Sequence, residues 1–464
     1  MISTVKHHPS SYRDPSGFIF EKDGALYRQV NIIFKDHFTH FIQSGCYKHL
    51  IEKGLLIPHE EIHTNLSGDS DHFTTLKPER VSFITYPYEW SFDMLKDAAL
   101  LTLQLAKECL QYNVILKDAT PYNIQWHKDR LIFIDSLSFE KYEEKPWVAY
   151  RQFCECFLGP LLLMHYSKKH LQPLQLAWPD GIPLNIIQSL LPKRSRFSIH
   201  TYLHIHLHNK VSVKKGQETS QNPKQANPTQ KFAKQKFLNL ITSLEALINK
   251  LSVPAALGTW SDYYEEVAQR SDYLDQKKSI ISTWIDKLPA ISTAADLGAN
   301  EGVFSRLVAS KGIRTISADF DPYCINTLYN ALRSNKEKNI QPLILDLANP
   351  SPATGVNNEE RAAFTNRIKA DLTLALALVH HLAIGKNISL DKIAAFFSSV
   401  SKHLIIEFVP LEDEKVQLML SQKEIAYPHY TIGEFESNFQ QYFTIDRKEL
   451  IAGSSRVLYL MNKK

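Results

Sequence analysis

Residues 291–321 read ISTAADLGANEGVFSRLVASKGIRTISADFD, and this stretch restricts the possible fold more than any other in the chain. An apolar run ends in Asp296, and a turn carrying Gly298 and Gly302 follows. Val303, Phe304, Leu307 and Val308 then fall on one face, which predicts a helix over 301–311 with Gly312 as its stop. A second apolar run, 315–318, ends in the acidic pair Asp319 and Asp321. The unit is strand, turn, helix, strand, the building block of a doubly wound α/β sheet that binds ligands at the carboxyl ends of its strands. Its glycines stand four apart behind a carboxylate. That is not the G-x-G-x-x-G spacing that lets a dinucleotide pyrophosphate approach the backbone.

The same β-α-β rhythm continues to the C-terminus. Strands are predicted near 293–297, 315–319, 342–346, 371–378, 403–409, 443–447 and 456–461. The last two suit an antiparallel pair closing the sheet. Together the D-L-G-A-N-E-G turn and the seven strands resemble the class I S-adenosylmethionine (SAM)-dependent methyltransferases over about 255–464. The resemblance implies an α/β fold with a seven-stranded Rossmann-like sheet and SAM as cofactor.

SAM carries a cationic sulfonium, an amino-acid end, a ribose diol and an adenine, but no phosphate. In the turn formed by Gly298, Asn300 and Gly302 the backbone can approach the methionine portion closely, because glycine accepts unusual dihedrals. The helix start offers N–H groups to the ligand carboxylate. Asp296 is expected to meet the amino group and Asp319 the ribose hydroxyls, with Asp321 as its rival. Asp346 is expected at the adenine amino group, with Leu347 against the ring. His380 and His381 close the fourth strand where an acceptor would bind, and one of the two should face inward. Glu407 lies within an apolar run, so it needs a cation such as Arg456 or an opening to the cleft, from which it would assist deprotonation. Asp413 and Glu414 are candidates for the acceptor entry.

The first half has its own motif. A hairpin is predicted over 17–35 around Asp23-Gly24, a helix over 36–56, a strand over 81–86 and a helix over 91–112. Residues 116–140, LKDATPYNIQWHKDRLIFIDSLSFE, then put Asp118 and Asn123 five apart and Asp135 after a second hairpin. This resembles the catalytic loop of protein kinases and aminoglycoside-type phosphotransferases and implies an α+β kinase-like domain. There Asp118 would act as base on an acceptor hydroxyl, while Asn123 and Asp135 would hold Mg²⁺ on ATP. The pattern departs from that family in several places. Leu116 stands where His is usual, no glycine follows Asp135, no Gly-rich loop precedes it, and Arg28 takes the place of the lysine. The reading is an inherited scaffold with lost or altered chemistry. The combination of DATPYNIQ, FIDSLSFE, LALALVHHL and IIEFVP resembles a group of bacterial two-part methyltransferases, some of them associated with nodulation or surface-glycan loci.

Residues 212–231 are polar, with two prolines and a glycine, and are read as a linker between a kinase-like domain (1–211) and a methyltransferase domain (232–464) with an N-terminal helical cap. Trp260, Tyr263, Tyr264 and Tyr273 are expected to cover the cofactor pocket or pack on the sheet edge. His204, His206 and His208 alternate as on a short strand and are read as a polar face; no metal site is expected. A net charge of +4 over 464 residues implies no nucleic-acid partner. Five scattered cysteines suit reduced thiols in the cytoplasm, and the longest apolar run, 157–164, is too short to span a bilayer. The expected function is SAM-dependent methyl transfer to an oxygen or nitrogen of a small-molecule or glycan acceptor. ATP-dependent phosphotransfer by the first domain and a non-enzymatic SAM-binding scaffold are the alternatives.

Overall fold

The computed structural model describes residues 5, 7–210, 233–254, 271–421, 423 and 426–464. Trp260, Tyr263 and Tyr264 therefore lie outside the described residues. Contacts divide the chain into two compact units: Met1–Pro254 with Thr354–Arg361, and Ala255–Ala353 with Ala362–Lys464. No described helix is long and apolar enough to cross a membrane.

The first unit is α+β. Its four-stranded antiparallel sheet consists of β1 (Gly17–Lys22), β2 (Ala25–Asn31), β3 (His59–Ile62) and β4 (His72–Pro78) in the order β1-β2-β4-β3. Asp23 and Gly24 both take positive φ, which the tight hairpin between β1 and β2 requires. One sheet face buries Val30 and Leu76 against Phe34, Phe38 and Leu137. Two short antiparallel pairs follow, β5 (Val114–Leu116) with β8 (Phe139–Lys141), and β6 (Ile124–His127) with β7 (Arg130–Phe133).

Four expectations for this unit change. The helix expected over 36–56 is two helices, Lys35–Gln43 and Cys46–Glu52, broken at Gly45 with φ 84°. The apolar run 81–86 forms no strand, because the buried Gln125 amide takes both backbone groups of Thr85, accepting from its N–H at 2.9 Å and donating to its carbonyl at 3.0 Å. The segment from His204 to His208 is helical rather than extended. The helix Lys234–Asn249 buries Phe237, Ile241, Leu244 and Ile248, stacks Phe237 edge-on to Trp147 and pairs Glu245 with Lys107. It therefore groups with the first unit, whereas the sequence reading attached it to the second.

The second unit is built on one seven-stranded sheet. Its strands are β9 (Thr293–Leu297), β10 (Arg314–Asp319), β11 (Ile340–Ile344), β12 (Ala370–Ala375), β13 (Ser401–Phe408), β14 (Phe443–Leu450) and β15 (Val457–Lys463). Their order is β11-β10-β9-β12-β13-β15-β14. The first five are mutually parallel, and β15 runs antiparallel to both β13 and β14. Leu372, Leu374, Ile405, Leu458 and Leu460 form one core cluster with Ile281 and Trp284 of the helix Ser271–Lys287, as expected of alternate residues that share a sheet face. The order reverses between β9 and β12, so the crossovers on either side diverge there and leave a crevice at the strands' carboxyl ends.

Candidate functional site

At the end of β9 the chain turns through Gly298 (φ 84°), and the N–H groups of Gly298 and Ala299 both donate to the Ala318 carbonyl, at 2.8 and 3.0 Å. This ties the turn to β10 and presents its backbone to the crevice. Asn300 also takes positive φ, and its N–H donates to Asp319 at 2.8 Å, while the Asp321 N–H reaches the other Asp319 oxygen at 2.9 Å. The Asp319 carboxylate is thus fixed by two backbone donors. Asp321 is its neighbour in the turn but not its equivalent: it caps the helix Pro322–Asn335 by accepting from the Tyr323 N–H. Gly302, expected at the ligand, does not line the crevice. A Cβ there would stand 2.8 Å from the Leu328 side chain, so this glycine serves helix packing. The helix it caps, Val303–Ala309, is shorter than predicted.

The crevice is a cavity of about 240 Å³. Asp296, Gly298, Asn300, Asp319, Asp346 and Leu347 all line it, as do the apolar side chains of Phe320, Leu345, Leu376 and Leu378. Asp296 is buried and accepts from the Ser305 hydroxyl at 2.6 Å, and Ser305 in turn meets Ser317 at 2.7 Å. Burial, reinforced by the Asp319 charge, pushes the Asp296 carboxyl up to about 6. Burial likewise raises Asp319. Asp346 accepts from the Ala348 N–H at 2.9 Å, which turns the chain and puts Leu347 beside it.

The fourth strand brings a correction. β12 stops at Ala375, and Ala377 takes a positive φ of 50°, so His380 and His381 stand in a helical turn instead of alternating along a strand. Their ring centroids lie 4.1 Å apart, and His381 lines the cavity while His380 is buried behind it. Burial and then the Arg456 charge lower His381 to about 4, and burial with the His381 charge holds His380 well below its usual range.

Glu407 takes the second of its two expected settings, pairing with cations instead of opening to the cleft. Its side chain does not line the cavity and is fully buried. It accepts from the Ala377 N–H (2.8 Å), the Tyr273 hydroxyl (2.8 Å) and the Lys277 ammonium (2.5 Å), with Arg456 at 3.7 Å. Burial alone would raise its pKa, but the Lys277 and Arg456 charges outweigh this and hold it below the usual carboxylate value. A carboxylate so saturated is a poor proton acceptor and a good anchor. Arg456 itself forms a two-pronged pair with Asp413, at 2.7 and 3.1 Å, and Asp413 also caps the helix Glu414–Leu420. Lys277 and Ser305 were not named in the sequence reading. The signal for Lys277 was present: a glutamate in an apolar strand requires a buried cation, and Tyr273 and Lys277 are spaced one turn apart on a helix.

In the first unit the sequence motif is also brought together. Asn123 donates to Asp118 at 3.2 Å and to the Ser138 hydroxyl at 3.3 Å. Asp135 accepts from Arg28 at 2.6 Å, from the Ser138 hydroxyl at 2.6 Å and from the Leu137 N–H at 2.9 Å. Burial and the Asp135 charge raise Asp118, one of whose oxygens is buried with no hydrogen-bond partner among the described residues. The Thr354–Arg361 segment belongs to this unit: Glu360 accepts from Tyr12 and Arg13, and the Arg361 guanidinium lies 4.0 Å from the Tyr122 ring centre. Among the described residues no group of three or more His, Cys, Asp or Glu side chains is arranged to hold a metal ion. His204, His206 and His208 do not converge. His204 bonds to Tyr150 and Ser243, His206 to Ser195, and His208 stacks on Tyr150.

No family model matches the chain. It is similar to the nodulation protein NoeA of Rhizobium meliloti (strain 1021), with 33% identity over 462 residues that cover 98% of this chain and 95% of that protein. Among solved structures, it is similar to the magnesium protoporphyrin IX methyltransferase ChlM from Synechocystis PCC 6803 with bound SAH. That match covers 45% of this chain and 95% of the other, at 14% identity and a TM-score of 0.33. It is also similar to the bifunctional kinase-methyltransferase WbdD, with 47% of this chain and 46% of WbdD covered, 18% identity and a TM-score of 0.28.

Proposed function

Given that the chain belongs to the family of the nodulation protein NoeA, we propose that it is a SAM-dependent methyltransferase acting on an oxygen or nitrogen of a small-molecule or glycan-type acceptor. One observation carries this reading. The cavity at the sheet's switch point presents three carboxylates, Asp296, Asp319 and Asp346, beside a glycine turn and apolar walls. Of its two lysines, Lys277 is bound to Glu407 and Lys386 is exposed. Such a lining repels phosphates and suits a ligand that is cationic, carries a diol and an amino-substituted ring, and has no phosphate. The residues therefore fit SAM.

Asp319, held rigid by the Asn300 and Asp321 N–H groups, would accept from the ribose hydroxyls. Asp346 would accept from the adenine amino group with Leu347 against the ring, and Asp296 would face the amino end. When bound, SAM would supply an electrophilic methyl group: its S–C bond breaks as the acceptor lone pair takes the methyl, S-adenosylhomocysteine is left, and the acceptor proton goes to solvent. The chain's part is mostly positioning, which is worth up to roughly 7–11 kcal/mol in well-oriented systems. His381, neutral at pH 7 because its pKa is lowered to about 4, is suited to orienting an acceptor O–H or N–H rather than to storing its proton. Glu407 is read as a positioning residue that holds the Ala377 peptide and Lys277 against the site.

The first unit is read as a kinase-like scaffold, with the polar 212–231 stretch joining its helix Lys234–Asn249 to the rest of the unit's sequence. Its residues do not fit Mg²⁺–ATP: the Arg28 guanidinium already supplies the positive charge at Asp135, whose two oxygens also accept from Ser138 and Leu137. A cytoplasmic location is supported by five unpaired, buried cysteines. Thermal melting of the full chain tests both halves of the proposal. SAM is expected to raise the melting temperature by several degrees at saturating concentration, and ATP with Mg²⁺ to leave it unchanged. The opposite pattern would move the chemistry to the first unit.

A further inference from the structure

The helical segment Ile199–Leu207 in the first unit is inverted. Its inward face carries Thr201, His204 and His206 with Ile205, all buried and, apart from Ile205, polar. Its outward face carries Ile199 (73% exposed), Leu203 and Leu207, four apart in a row, with Tyr202 beside them, and Phe197 (89% exposed) precedes it. A helix in a globular unit normally turns its apolar side inward. Here the histidines that the sequence reading assigned to a polar face bond inward to Tyr150, Ser195 and Ser243 instead, leaving the apolar row uncovered among the described residues.

Charge decides what such a face fits. Residues 181–210 contain no Asp or Glu, and Lys193, Arg194 and Arg196, at the start of the same segment, are exposed. Arg194 also donates to the Tyr166 carbonyl at 3.1 Å. An apolar row beside cations, with no acid in its own stretch of sequence, calls for a partner that is apolar within and anionic at its surface. A second copy meeting this face across a two-fold axis would oppose the three cations to themselves. The sequence that follows, 211–231, holds four lysines, one acid (Glu218) and almost no apolar residues, so it supplies neither requirement.

We propose that this face, Phe197, Ile199, Tyr202, Leu203 and Leu207 with Lys193, Arg194 and Arg196, docks the protein on an anionic lipid bilayer. The apolar row lies at the acyl boundary and the cations lie on headgroup phosphates. This is peripheral attachment and is independent of the methyltransferase reading.

Co-sedimentation of the full chain with phosphatidylcholine vesicles, with and without phosphatidylglycerol, tests it. Binding is expected only with phosphatidylglycerol and should weaken as salt is raised. Each of Lys193→Glu and Arg196→Glu should lower partitioning by at least about fivefold. The pair Phe197→Ser and Ile199→Ser should lower it by at least about tenfold. All four positions are exposed, and Phe197→Trp gives a second readout: its emission should shift to the blue on the anionic vesicles alone. Equal binding to both vesicle types, no binding to either, or partitioning indifferent to these substitutions would overturn the proposal. So would a wild-type dimer that Phe197→Ser dissolves, because that assigns the face to a second copy.

Discussion

Asp296 is the residue on which stability and binding pull in opposite directions. Its folded pKa of about 6 lies above the unfolded 3.8, so the fold favours the neutral acid. That contribution is complete below pH 3.8 and is lost as pH rises through about 6. At pH 7.5 the ionised, ligand-free site is therefore strained by an amount on the order of 3 kcal/mol. A cationic ligand reverses the preference, since it binds the carboxylate. SAM affinity measured by calorimetry is accordingly expected to fall as pH drops below about 6, and an affinity flat from pH 5 to pH 8 would remove Asp296 from the ligand site. Asp296→Asn keeps the acceptor for Ser305 and removes the buried charge. It should raise the melting temperature of the ligand-free chain by a few degrees while weakening SAM. A variant that loses stability and binding together would mean that the carboxylate serves only the fold.

The second unit's elements were largely legible because each strand carries its own apolar run. The missing part comes from distant partners. β12 was expected to run through 378, yet it stops at Ala375 because Ala377 donates its N–H to Glu407, thirty residues on, and takes positive φ to do so. His381 is the one of the two that lines the cavity, and no local pattern announces the bond that ends the strand before it. The run 81–86 failed as a strand for a similar reason, because a side-chain amide forty residues away replaces a ladder. The carboxylates at strand ends were readable since their places follow from the order of the strands; for Lys277 the sequence signals only that Glu407 needs a buried cation, and its helix alone does not say which strand it covers. Glu407 joins that helix, β13 and the loop after β12, so Glu407→Gln should cost about 3–5 kcal/mol by leaving the Lys277 ammonium buried without its counter-charge. Adding Lys277→Met should recover most of the loss. Urea denaturation of the single and double variants checks this, and a single-variant loss below about 1 kcal/mol would show the cluster to be dispensable.

At the scale of the whole molecule, two units divide the polar chemistry unequally. The first unit gathers Asp118, Asn123 and Asp135 but closes them with Arg28 and Ser138. The second leaves three carboxylates facing a cavity of about 240 Å³. The domain boundary was harder to read than either site, because Lys234–Asn249 follows a polar stretch yet buries its apolar face in the first unit, and Thr354–Arg361 joins that unit from between two strands of the second. Amphipathic periodicity says that a face will be covered but does not name the cover. On the proposed reading the second unit's acidic cavity binds SAM through Asp319. Titration calorimetry of the full chain with SAM tests this most directly. The wild type should bind one SAM per chain, and Asp319→Ala should weaken that binding at least about tenfold, as expected for losing charge-assisted bonds to a diol. Absence of SAM binding, or binding that survives Asp319→Ala unchanged, would contradict it.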